Sequence, residues 1–281
     1  MKKSLLVTLA LSLVLVAAGC SKTTENTTEE VATEVEDATE AVEEDAAEAD
    51  TAEAEAEADT ENAATAEGVM SYADYVAAAV DTEVCVETYV QAKQAWWEDN
   101  GVGQATFYTQ NQDGAFFVYN LPCSQEDYDK LVPGTKIKVT GFKSEWSGEV
   151  EITDATYEIE DTDTFVADAK DVTDLLGKDE LIDYQNQFVS FKGMTVEAAN
   201  DAGDAFLYKW DGSGTEGDDL YFNVSLDGNT YTFTVESYLC DKDSDVYKAV
   251  QNLKVGDVVD MEGFLYWYEG VNPHITSVSV Q

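Results

Sequence analysis

Arginine is absent from all 281 residues, and histidine occurs once, at His274. Without arginine the chain lacks the planar fork that grips phosphate or guanine at two points. The lone histidine excludes a two-histidine zinc set, and no cysteine is spaced to complete one. Positive charge is scarce as well: fifteen lysines face fifty-eight acids, a formal net charge of −43. Affinity for a polyanion comes mainly from clustered basic side chains that release counterions, and no such cluster exists here. On that ground nucleic acid is not expected as a partner, and the negative surface favours cations or basic proteins. Phosphate-binding loops, dinucleotide fingerprints and hydrolase elbows are also missing, and with so many acids a carboxylate pair arises by chance. An enzyme is therefore not expected. No apolar run is long enough to span a bilayer, the longest being Leu5 to Val16.

That short run has a specific setting. Lys2 and Lys3 precede it, and Ala17, Ala18, Gly19 and Cys20 follow. A positive start, an apolar middle and a small-residue close are the marks of a secretory signal. The close resembles the lipobox of bacterial lipoproteins, with Ala17 standing where that family prefers leucine. The resemblance implies residues 1–20 as signal peptide, lipidation of Cys20 and an extracytoplasmic, lipid-anchored position at the cell membrane.

Residues 21–67 consist of Ala, Glu, Asp and Thr for the most part, with eighteen acids against Lys22 and no aromatic residue. Such a segment buries too little apolar surface to offset its ordering entropy, and reads as a disordered acidic linker. The remainder, 68–281, holds forty acids against twelve lysines.

This remainder says one thing twice. Leu131 to Ile152 reads LVPGTKIKVTGFKSEWSGEVEI, and Leu253 to Ile275 reads LKVGDVVDMEGFLYWYEGVNPHI. In each, a Gly turn (Gly134, Gly256) opens an alternating strand, a second glycine (Gly141, Gly263) closes it, and an aromatic hairpin leads to another strand. Repetition at a fixed spacing defines the folding unit. The units are 68–162 and 163–281. Ahead of each repeat lie three alternating strands and a short helix, Ser124 to Leu131 with a serine cap in the first unit and Asp243 to Leu253 in the second. Asp227 and Gly228 give the strongest hairpin signal in the chain.

The order strand, strand, strand, helix, strand, strand resembles the OB-fold, a five-stranded Greek-key barrel. The expected fold class is all-β with short helices: two tandem five-stranded OB-fold-like barrels after a disordered acidic linker. The resemblance implies binding on the face of strands two and three, flanked by the loops after strands one and four.

All five tryptophans map to those loop regions: Trp96 and Trp97 after the first strand, Trp210 in the matching loop of the second unit, and Trp146 and Trp267 in the two hairpins, the latter beside Tyr266 and Tyr268. These seven residues are the candidate ligand platform, and packing between the barrels is the alternative role. Asp241, Asp243 and Asp245 alternate as in the opening of a calcium loop, but Val246 and Asn252 replace the turn glycine and the bidentate glutamate. Acids gathered at a helix N-terminus are the alternative. No other cofactor is indicated. With Cys20 assigned to lipid, Cys85, Cys123 and Cys240 remain; a Cys85–Cys123 bridge and small buried thiols are both open.

The function expected from these features is a lipid-anchored extracytoplasmic binding or adaptor protein whose ligand is carbohydrate or protein. The alternatives are an OB-fold nucleic-acid-binding protein and a structural component of the cell envelope.

Overall fold

The computed structural model describes residues 68–281. The signal segment, Cys20 and the acidic linker lie outside the described residues. All described residues belong to one compact unit.

Two barrels make up this unit. The first is built from β1 (Glu83–Lys93), β3 (Val102–Gln110), β4 (Ala115–Pro122), β5 (Thr135–Trp146) and β6 (Glu149–Thr164), with the short β2 (Trp97–Asp99) on the outer edge of β3. Its strands follow the order β1-β5-β6-β4-β3, and β3 pairs back onto β1 to close the ring. The second uses β8 (Phe188–Glu197), β10 (Leu220–Leu226), β11 (Asn229–Val235), β12 (Val258–Phe264) and β13 (His274–Val280), in the order β8-β12-β13-β11-β10 with β10 returning to β8. The strand pairs β7 (Lys170–Asp171) with β8 and β9 (Leu207–Tyr208) with β10 extend this sheet. In both rings one pairing is parallel, β4 with β6 and β11 with β13, and the rest are antiparallel. That order and that single parallel contact define the OB-fold twice over, so the expected fold class stands on topology.

Local chemistry explains the elements. Ser71 caps α1 (Tyr72–Ala77), Ser124 caps α2 (Gln125–Lys130) and Ser244 caps α3 (Asp245–Gln251), each hydroxyl accepting from a backbone N–H three residues on. Helices α2 and α3 occupy the same place, between the third and fourth barrel strands. Burial alternates along the first half of β1 and the last residues of β8, and each barrel fills with its own cluster: Val86, Val90, Phe107, Phe116 and Ile137 in the first, Phe191, Phe222, Val224, Phe233 and Tyr247 in the second. The repeated glycines mark where the strands turn a corner. A Cβ on Gly141 would lie 2.7 Å from the Thr153 carbonyl, and one on Gly263 would lie 2.2 Å from that of His274. Both sit beside bulges in the pairing of the fourth with the fifth barrel strand, where only glycine lets the backbones close up.

Three local features bear on the sequence readings. Ahead of the second barrel the chain makes a 3₁₀ turn at Thr173–Leu175. Cys85, Cys123 and Cys240 are free thiols; Cys123 packs in the first core and Cys240 against the second. Asp241, Asp243 and Asp245 do not form a calcium loop. The Asp241 carboxylate accepts from the Asp243 N–H at 2.9 Å and Lys242 pairs with Asp243, while Asp245 lies in the first turn of α3. Among the described residues no group of three or more His, Cys, Asp or Glu is placed to hold a metal ion.

Candidate functional site

The two barrels meet along a broad contact. At its centre Tyr108, Phe117 and Phe264 form a third buried cluster, with Phe188 and Tyr266 packed against it. The Tyr108 ring stacks on Phe264 with centroids 4.4 Å apart, and its hydroxyl lies 2.8 Å from Nδ1 of His274. Burial pushes the Tyr108 phenol well above its ordinary range and the His274 imidazole down to about 3. Both groups are therefore neutral, and the imidazole tautomer sets the direction of the bond between them. The single histidine opens the last strand and fastens one barrel to the other.

The contact continues through the repeated hairpins. Ser147 and Gly148 turn β5 into β6, and the Ser147 carbonyl accepts from the Glu269 N–H in the matching hairpin at 2.7 Å. Trp146 and Tyr268 face each other there, with centroids 5.1 Å apart. Beneath them Glu149 is fully buried; one of its oxygens accepts from the Trp267 N–H at 2.9 Å and from the Gln185 amide at 3.4 Å. The other oxygen has no partner, and burial raises the carboxyl well above the ordinary carboxylate range. Burial also pushes Glu151 up to about 7.

Beside this contact lies a cleft of about 980 Å³, walled by residues of both barrels. Ala95 in the first barrel donates its N–H to the Tyr238 carbonyl in the second at 2.8 Å, and the Gln94 amide donates to Glu236 at 3.1 Å. These bonds fix the floor. Seven aromatic side chains are exposed among the described residues, and six of them line this one cleft: Trp97, Tyr119, Trp146, Trp210, Tyr238 and Tyr268. Phe142 alone lies elsewhere. Gathering exposed aromatic surface in one concave place costs solubility, and such patches mark binding sites. Trp210 and Tyr268 also adjoin residues held in the left-handed region, Lys209 at φ 62° and Glu269 at φ 53°, a strain that the surrounding structure sustains.

The charged groups in the wall are Asp219 and Glu236; no lysine lines it. The Asp219 carboxylate accepts from the backbone and hydroxyl of Ser237 at 2.8 and 2.6 Å. Burial, and then the neighbouring Asp219, pushes Glu236 up to about 7. A second cavity, of about 610 Å³, adjoins α1 and is lined by Tyr75, Lys143, Ile182, Gln185 and Asn186; there the Lys143 ammonium is committed to the carbonyls of Tyr75, Val76 and Ala78.

Of the seven platform candidates, Trp97, Trp146, Trp210, Tyr266 and Tyr268 come together in the cleft. Trp96 does not: its indole N–H bonds to the Cys123 carbonyl at 3.0 Å and its ring packs on the first core against Gly103. Trp267 turns inward onto the second core and against Gly148. Tyr119, Tyr221, Tyr238, Asp219 and Glu236 carried no signal in a chain so rich in tyrosine and acid. Their place becomes visible only when the barrels are docked.

No protein-family model and no curated protein matches the chain. Solved structures do. A murine DNA-binding protein bound with double-stranded DNA matches at 11% identity and a TM-score of 0.33, over 70% of this chain and 94% of that one. A HINa domain in complex with 20-base-pair double-stranded DNA matches at 12% and 0.31, over 72% and 96%. A Replication Protein A heterotrimer bound to single-stranded DNA matches at 13% and 0.30, over 71% of this chain and 49% of that one. Against the expectation of a carbohydrate or protein ligand with nucleic acid set aside, these matched structures are described with DNA; the likeness extends to the fold alone. The charge argument behind that expectation addresses phosphate recognition alone, and the cleft offers ring faces instead.

Proposed function

We propose that the protein binds unpaired nucleobases by stacking them on the aromatic walls of the interbarrel cleft. The observation that carries this reading is the convergence of six of the seven exposed aromatic side chains on one cleft. Every base has a π-face, and stacking on an aromatic side chain contributes about 1–3 kcal/mol per base without reading sequence. The asparagines Asn120 and Asn272 in the same wall bring amides within reach of a base edge. Phosphates stay outside, because the wall carries acids and no lysine. The lipobox resemblance of residues 1–20 would place this protein at a membrane surface through Cys20.

This mode has an unusual signature. A protein that neutralises several phosphates loses about 10³–10⁵ in affinity between 50 and 200 mM salt. Here no counterions are released and salt screens the repulsion of backbone by carboxylate. Fluorescence anisotropy of a labelled single-stranded oligothymidylate, titrated with the protein at 50 and 300 mM NaCl, should give saturable binding that is unchanged or tighter at the higher salt. A steep loss with salt would assign the affinity to phosphate contacts, and no retention at either salt would end the proposal.

A further inference from the structure

We propose that the cleft selects positively charged rings, so that a cationic base or another N-alkylated heteroaromatic cation is held more tightly than its neutral counterpart. The inference deepens the base-stacking reading and rests on the same site. Three observations carry it. The walls are aromatic faces, whose quadrupole draws a cation held against them, most strongly for tryptophan. Asp219 and Glu236 are the charged groups in that wall, with no ammonium to compete. The one basic ring there, His274, is kept neutral by burial, so it sets up no positive charge that would repel a guest.

The two acids are also held in a way that fits a cationic guest. They lie close enough for Asp219 to raise Glu236, and a positive charge between them would relieve that repulsion. Both are fixed in place by donors from the protein: Ser237 on Asp219, and Gln94 and the Tyr238 N–H on Glu236. A neutral ring would gain stacking from this cleft and nothing from the carboxylates; a cationic ring gains both.

The test compares pairs that differ by one N-methyl group and its positive charge, by isothermal titration of residues 21–281: 1-methyladenosine against adenosine, and N-methylquinolinium against quinoline. The expected result is about tenfold tighter binding of the cation in each pair, of the size that cation–π attraction at a partly desolvated site provides. Asp219→Asn should cut that ratio severalfold, since the asparagine oxygen retains the bonds from Ser237 and the ring walls are untouched. Equal binding of cation and neutral ring overturns the inference and leaves the stacking proposal standing. Selective binding of N-methylquinolinium with no binding of either nucleoside supports the inference and overturns the nucleobase reading. Absence of binding by all four compounds overturns both.

Discussion

Replacing Glu149 with lysine should cost the fold about 3–5 kcal/mol, the scale on which an uncompensated buried charge destabilises a protein. Glu149 is fully buried between the barrels, bonded through one oxygen to Trp267 and Gln185 while its other oxygen is unpartnered. Burial favours the neutral carboxyl there, whereas a lysine would bring its own donors against those of Trp267 and Gln185. Thermal unfolding at pH 7 should register this as a fall in Tm of roughly 10–15 °C for a protein of this size. Glu149→Gln, neutral at every pH, should be close to wild type at pH 5 and more stable than wild type at pH 8. The sign follows from linkage. Glu149, Glu151 and Glu236 hold their protons in the folded protein above the pH at which the unfolded chain releases them, about 4.5, so their contribution falls as pH rises. For Glu151 and Glu236 the window runs from about 4.5 to about 7; for Glu149 it starts at the same point and extends higher. His274 works in the opposite sense, adding stability between about 3 and 6.5, so above pH 6.5 only the carboxyls act. Melting curves should show Tm declining between pH 6.5 and pH 8, and a flat or rising Tm there would refute the protonated interface.

The second large effect concerns binding. Trp146→Ala combined with Tyr268→Ala should weaken retention of single-stranded oligonucleotide by about 2–4 kcal/mol, two stacking faces at the lower part of their range. In affinity this is a factor of roughly 30 to 1,000. The two rings come from different barrels and touch only across the docked hairpins, so the double variant removes the wall that the repeat builds. Both are exposed, and their loss should leave Tm within about 2 °C of wild type. Trp96→Ala is the contrasting variant: Trp96 packs on the first core, so stability should fall while base binding in the surviving fold persists. Anisotropy titrations read beside melting curves separate the two. A double variant that binds as wild type does would remove the cleft from the account.

The architecture is legible in the sequence because OB-folds are written in local terms. The Ser caps at Ser71, Ser124 and Ser244, the turn at Asp227 and Gly228, and the paired glycines Gly141 and Gly263 each specify a short-range geometry, and the chain repeats most of them. The aromatic hairpins were also visible, yet which ring points outward was not. Trp146 and Trp267 stand in comparable hairpins, and one lines the cleft while the other turns inward against Gly148, a choice set by the partner barrel. Tyr108 and His274 are separated by 166 residues, and nothing in either neighbourhood announces their bond. The buried glutamates were hidden for a different reason. In a chain with fifty-eight acids, three that carry raised pKa values look like all the others until burial distinguishes them. Absence of arginine speaks to phosphate recognition and leaves base stacking open, since stacking needs no positive charge.

The central claim is that both barrels contribute to one base-stacking cleft. Photo-crosslinking with an oligonucleotide carrying 5-iodouracil, followed by mass-spectrometric mapping of the attached peptides, tests it most directly. The account predicts adducts on cleft aromatics from both halves, at Trp97 or Trp146 in the first barrel and at Trp210, Tyr238 or Tyr268 in the second. Adducts confined to one barrel away from these rings, or no adduct above that given by a denatured sample, would contradict it.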